Sequence, residues 1–246
     1  MRLITIPMSH YCEKARWGLE LAGIAYSEEA HLQVFHYWAV RGLKSKGMVP
    51  VLVDGSQAIA DSTDILKYLD QRLAPEQKLY PPEIIAEVEA LEHFFDEGLG
   101  IESRRWVYFH WLKVPSKEVL RTAAQMTPYW QRALAPFIFP VFRIYLSRHL
   151  KISKQNIVAG RAIIEQAFDR VEKLLSDGRP FLCGAQFTAA DLAFASMAAA
   201  ILLPPEYGIR LPTLEEAPAD ARADVEKFRA HSAGQYALRL FKDRVQ

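Results

Sequence analysis

Apolar and polar positions alternate at the start of the chain, where residues 2–6 are largely β-branched. That pattern predicts a strand, which Pro7 ends. A short polar loop, Ser9-His10-Tyr11-Cys12, comes next. Ala15, Leu19 and Ala22 then recur at helical spacing, which predicts a helix from about residue 13 to 22 with Gly23 just past its end. A second strand is expected over 25–28, and residues 31–47 read as an irregular helix running into a polar loop. Residues 49–53 form a third strand pattern with Pro50 at its entry, and Asp54-Gly55 is a hairpin signal returning the chain through residues 57–60. Asp61-Ser62-Thr63-Asp64 offers capping side chains for a helix reaching about residue 72. The order is β-α-β-α-β-β-α.

Leu79-Tyr80-Pro81-Pro82 breaks this alternation, and every later segment reads as helical. A long amphipathic helix is expected over 83–112 through Ile84, Val88, Leu91 and Phe95, and another over 156–176. Pro115, Pro128, Pro136 and Pro140 are expected to divide the middle. The fold class is therefore two-domain, an α/β domain over 1–78 and an all-α bundle over 86–246, with 79–85 as linker. Residues 211–246 match no motif.

Composition narrows the function classes. Half of the 246 residues are apolar, which is enough for an ordinary buried core. The net charge of +1 argues against a nucleic-acid footprint or a polybasic membrane anchor, unless folding gathers a local patch. The first residues lack a cleavable apolar region, and the longest apolar run, 192–205, is too short to span a bilayer. Two cysteines, Cys12 and Cys183, cannot build a secreted disulfide framework. A reduced, cytoplasmic protein with no membrane span, no nucleic-acid partner and no metal is expected.

The chemistry centres on the first loop. A turn bearing Ser or Cys between a strand and a helix places its side chain beside unpaired helix N–H groups and their partial positive charge. A thiolate held there is stabilised, whether it belongs to the protein or to a bound thiol. Ser9-His10-Tyr11-Cys12-Glu13-Lys14-Ala15-Arg16 resembles the active segment of the glutathione transferase and glutaredoxin superfamily. Three further segments resemble the same family in order: Met48-Val49-Pro50-Val51-Leu52, Asp61-Ser62-Thr63-Asp64-Ile65 and Phe187-Thr188-Ala189-Ala190-Asp191-Leu192.

The resemblance implies a thioredoxin-like N-terminal domain that holds glutathione as co-substrate, an all-helical second domain and a homodimer. It aligns Ser9 with the nucleophile position and Cys12 with the resolving one, so Ser9 is the catalytic candidate, with Cys12 and Tyr11 secondary. It implies a cis Pro50 that presents the Val49 backbone to the cysteinyl group. It also implies that Asp61 and Ser62 bind the γ-glutamyl group. For the glycyl carboxylate, Lys44, Lys46, Gln33 and His36 all remain candidates.

A free thiol has a pKa of about 8.5, and lowering it by roughly two units takes about 2.7 kcal/mol. One hydrogen bond to a charged sulfur, about 1.5–3 kcal/mol, plus a helix terminus, about 0.3–1 kcal/mol, supplies that without a metal. Taken alone, Ser9, Asp61 and Ser62 are ordinary capping residues. Thr188 and Asp191 form a capping box, with Phe187 and Leu192 as its staple, and read as structural. Two aromatic clusters, 106–111 and 137–142, mostly suit a core, with Tyr108 or Trp111 left over a cleft for a hydrophobic small molecule. The expected activity is conjugation of glutathione to small apolar electrophiles. The alternatives are thiol–disulfide chemistry through Cys12 and a non-catalytic protein that binds ligands or partners.

Overall fold

The computed structural model describes residues 1–114 and 116–244. Pro115 and the last two residues of the expected helical domain lie outside the described residues. The N-terminal unit comprises β1 (Arg2–Thr5), α1 (His10–Leu21), β2 (Ser27–Ala30), α2 (His36–Ala39), β3 (Val51–Asp54), β4 (Gln57–Ala60) and α3 (Ser62–Asp70). The sheet order is β2-β1-β3-β4, with β1 parallel to β2 and antiparallel to β3, and β3 antiparallel to β4. Alternation divides the faces. Leu3 and Leu52 pack with Ala15, Leu19, Ile65 and Leu69 of the two main helices, while Ile4 and Val51 meet Val40 on the other side.

Strand β2 starts two residues later than its apolar residues suggest. Its sequence, Ser-Glu-Glu-Ala, has no apolar alternation to fix a register. Glu28 fixes it instead, accepting from Thr5 Oγ1 at 2.5 Å and from Arg16 Nη2 at 2.7 Å.

The helical unit holds α4 (Ile85–Phe94), a π-helical turn (Phe95–Gly100), α5 (Ile101–Trp111), α6 (Ser116–Ala123), α7 (Tyr129–His149), α8 (Lys154–Leu175), α9 (Ala189–Leu202), α10 (Ala219–Ala230) and α11 (Ser232–Arg244). The long helix expected over 83–112 is one run interrupted by the π turn. Pro136 and Pro140 lie inside α7 rather than dividing it. A proline removes one helix donor and crowds one carbonyl, and two exposed positions absorb that without ending the helix.

Buried helix α9 is the centre of the core, Ala-rich, carrying Phe194 and flanked by Phe168, Phe228 and Phe241. At its start the Asp191 carboxylate accepts from the Thr188 N–H at 2.8 Å, from the Leu182 N–H at 2.7 Å and from the Tyr236 hydroxyl. Within the stretch that matched no motif, α10 and α11 supply Val225, Phe228, Tyr236, Leu240 and Phe241 to this core. Gly234 permits the sharp joint between them, because a Cβ there would lie 1.8 Å from the Phe228 carbonyl oxygen.

Candidate active site

Ser9 caps α1. Its backbone is extended at φ −75° and ψ 120°, and its Oγ accepts the Cys12 N–H at 3.4 Å. An oxygen that accepts from the helix keeps its own proton to donate. The next two side chains turn away to the helical domain, where the π turn receives them. Tyr11 donates its hydroxyl to the Asp96 carbonyl at 2.7 Å, and His10 Nε2 donates to the Gly100 carbonyl at 3.0 Å. Burial drives the His10 ring down to about 3, so it is neutral, and drives the Tyr11 hydroxyl upward. Gly100 is needed for this approach, since a Cβ there would stand 2.5 Å from the Tyr11 hydroxyl and 2.6 Å from Met197 Sδ.

Cys12 is buried, and desolvation pushes its thiol up to about 11, against the opposing pull of Arg16. Both cysteines are free thiols.

The Val49–Pro50 peptide bond is cis. The Pro50 carbonyl accepts the Asp61 N–H at 3.3 Å, which joins the two expected ligand segments directly. Asp61 adopts φ 80° and ψ 140°, a region that costs a residue with a side chain about 1–3 kcal/mol. Its carboxylate offsets part of that by accepting the Thr63 N–H at 2.8 Å. Ser62 is buried as the first residue of α3.

Sequence reasoning missed the charged network beneath this site. Lys14 is fully buried, with its Nζ 2.6 Å from Asp96 Oδ2, 2.8 Å from Glu92 Oε1 and 3.0 Å from Thr63 Oγ1. It ties α1, the start of α3 and the α4 run together. Burial raises the Asp96 carboxyl against the attraction of Lys14, and the two carboxylates hold Lys14 charged. Glu13 works in parallel, accepting from Arg16 at 2.8 Å, Gly208 N–H at 2.9 Å and Arg244 at 2.6 Å. The available signal was Glu13, Lys14 and Arg16 set close together at the start of a helix whose core spacing allows little exposed face.

Arg104, also missed, has a buried Nε without a hydrogen-bond partner, and its charge reaches His10, Tyr11 and Tyr108. Tyr108 contacts Gln33 through its hydroxyl. Trp111 lies in a packed cluster with Leu112, Val119, Phe139 and Leu146, so it does not line an open cleft. Of the second aromatic cluster, Phe139 and Phe142 join that packing and Phe137 points to solvent. Among the glycyl-carboxylate candidates, Lys44 and Lys46 are exposed and His36 is buried, with its ring driven down to about 4 by desolvation.

The order of the sheet, the cis proline beside a capped helix and the helical second unit define a thioredoxin-like domain joined to an all-α domain. The glutathione S-transferase N-terminal domain family matches residues 3–77, and the glutathione S-transferase C-terminal domain family matches residues 128–235. The chain belongs to the glutathione S-transferase family. Human glutathione S-transferase theta-2 is 26% identical over 150 residues, covering 61% of this chain and 49% of that protein. The chain thus spans about half the length of the curated relatives it matches.

Two solved structures share the fold over nearly the whole chain. Glutathione transferase GSTFuA3 of Phanerochaete chrysosporium has a TM-score of 0.66 at 17% identity, covering 99% of this chain and 96% of that one. CsGST63524 of Ceriporiopsis subvermispora, solved in complex with glutathione, has a TM-score of 0.63 at 17% identity and the same coverage.

Proposed function

We propose that the protein transfers the sulfur of glutathione to small apolar electrophiles, with Ser9 holding that sulfur as its thiolate. The observation that carries this reading is how the loop's side chains are committed. The Tyr11 hydroxyl is spent on the Asp96 carbonyl, and the Cys12 thiol is buried and pushed up to about 11. Ser9 is partly exposed, and its hydroxyl, which accepts the Cys12 N–H, has its own proton left to donate at the N-terminus of α1.

In this reading the Val49 backbone pairs with the cysteinyl group. Ser62 and the start of α3 take the γ-glutamyl carboxylate, and Asp61 takes its ammonium. The bound thiol loses its proton to solvent, and its sulfur lone pair forms the bond to the electrophilic carbon. The leaving group departs with the bonding pair. Arg104, whose charge reaches Tyr108, is the cation proposed to offset the charge that develops on the leaving group. A cytoplasmic homodimer belongs to the same proposal.

Calorimetric titration with millimolar glutathione, followed by conjugation of an activated aryl halide read by mass, tests it. Binding and a conjugate are expected. Absence of binding would overturn the reading, binding without turnover on any electrophile would leave a non-catalytic scaffold, and disulfide reduction dependent on Cys12 would replace it with redox chemistry.

A further inference from the structure

The stretch from α6 to the first half of α8 breaks the even charge balance of the chain. Residues 119–164 contain no Asp or Glu and seven Lys or Arg, in a protein whose net charge is +1. Elsewhere, acids outnumber bases. Two of the seven are paired, Arg121 with Glu216 and Arg161 with Glu165 and Asp224. Arg132, Arg143, Arg148, Lys151 and Lys154 form no ion pair among the described residues, and all but Arg143 are exposed.

Helix α7 at the centre of this stretch has two apolar faces. One, with Ala135, Phe139 and Leu146, packs inward. The other points to solvent and carries Trp130, Leu134, Phe137, Val141, Ile144 and Tyr145 at steps of three and four. Phe137 is 80% exposed and Val141 70%. The six side chains present on the order of 700 Å² of surface, more than the largest apolar patch of an ordinary monomer.

The stripe extends onto the N-terminal domain. Phe35 lies 5.2 Å from Trp130 and 5.6 Å from Trp38, which is 64% exposed. At its other end a surface groove of about 490 Å³ is lined by Val141, Ile144, Tyr145, Arg148 and His149. The basic residues follow at the same end, at Arg148, Lys151 and Lys154.

We infer that the outer face of α7 docks the protein on an anionic bilayer surface, with the helix lying in the plane of the interface. An exposed aromatic and aliphatic stripe with arginines at its border and no acid on its own helix is the pattern such a surface selects. Trp and Tyr rings suit the headgroup level, and each Lys or Arg near an anionic leaflet strengthens attachment. No helix among the described residues is long and apolar enough to cross a membrane, so the attachment is peripheral. A second copy of the chain is a poorer occupant. An isologous contact sets a patch against itself, and here that brings together arginines that form no ion pair among the described residues, on a helix that carries no carboxylate.

Flotation of the full-length protein with vesicles tests the inference, comparing phosphatidylcholine alone with phosphatidylcholine containing about 30 mol% phosphatidylserine. Binding to the anionic vesicles only, weakened at about 0.5 M salt, is expected. Arg148→Glu/Lys151→Glu should lower partitioning by about 30-fold or more. Phe137→Ser/Val141→Ser should lower it by roughly tenfold or more. All four positions are exposed, so thermal unfolding should stay close to wild type. Lack of binding at millimolar lipid, equal binding to both vesicle types or indifference to both variants would overturn the inference. A concentration-dependent dimer that Phe137→Ser/Val141→Ser abolishes would equally overturn it, assigning the face to contact between copies.

Discussion

The Tyr11 hydroxyl donates to the Asp96 carbonyl at 2.7 Å, across 85 residues of sequence and from one domain to the other. The acceptor belongs to the π turn, where the wider spiral leaves carbonyls poorly matched to helix donors and open to an outside partner. His10 uses the Gly100 carbonyl at the end of the same turn. The loop is thus clamped to the helical domain by the two side chains that follow Ser9, while the Ser9 hydroxyl stays on the N-terminus of α1 that it caps.

Replacing Ser9 by alanine should raise the pKa of bound glutathione. Losing a hydrogen bond to a charged sulfur costs about 1.5–3 kcal/mol, which is roughly one to two pKa units. The pH–rate profile should move alkaline by that amount, while affinity at low pH stays nearly constant. Ultraviolet titration of the bound thiolate reads the shift directly. Identical titration of wild type and variant would assign activation to another group.

Cys12→Ala should leave conjugation and glutathione affinity within a factor of about two. A thiol held near 11 is almost wholly protonated at neutral pH and buried from reagents. Iodoacetamide should therefore label Cys12 in the unfolded chain and scarcely in the folded one. Rapid native labelling at position 12, or loss of turnover in a folded Cys12→Ala protein, would contradict the buried geometry.

Lys14→Met should destabilise the fold by about 3–5 kcal/mol, because Glu92 and Asp96 lose the buried ammonium that sits between them. Adding Asp96→Asn should recover part of the loss, since one of the orphaned charges disappears with it. Urea midpoints of the wild type, single and double variants measure both effects. A single-variant cost below about 1 kcal/mol would mean that the pair is solvated.

The buried His10 ring titrates near 3, against an ordinary value of 6.5. The folded state resists the proton that the unfolded chain accepts. The contribution to stability is therefore complete above pH 6.5 and is lost as pH falls toward 3. His36, driven down to about 4, acts in the same direction. His10→Gln keeps a donor for the Gly100 carbonyl without titrating. Its stability should fall less than that of wild type between pH 6.5 and 4.5, by about 2–3 kcal/mol. Parallel urea-unfolding curves across that range would show that position 10 takes up no proton on unfolding.

The sequence by itself determined the elements whose signals are local. Strands β1, β3 and β4 follow from alternation, the Asp54-Gly55 turn from its dipeptide, α1, α3 and α8 from their apolar spacing with Ser9 and Asp61 as caps of the first two, and the start of α9 from the Thr188–Asp191 capping box. The family resemblance also lay in short contiguous motifs, so it needed no tertiary information. What the tertiary structure decided were relationships between residues far apart along the chain. Strand β2 takes its register from the Glu28–Arg16 pair, not from its own pattern. A charge such as Lys14 reads as solvated on a single helix, and becomes buried only when α3 and the α4 run close over it with carboxylates in place. The prolines of α7 look like helix breaks, yet the packing of Phe139 and Leu146 against Trp111 holds the helix through them. Helices α10 and α11 carry no motif because their side chains fill volume around α9, and many apolar sequences can do that. Net charge hid the basic face of α7 for a related reason: a whole-chain balance averages over surfaces, and only folding assigns each charge to a side of the molecule.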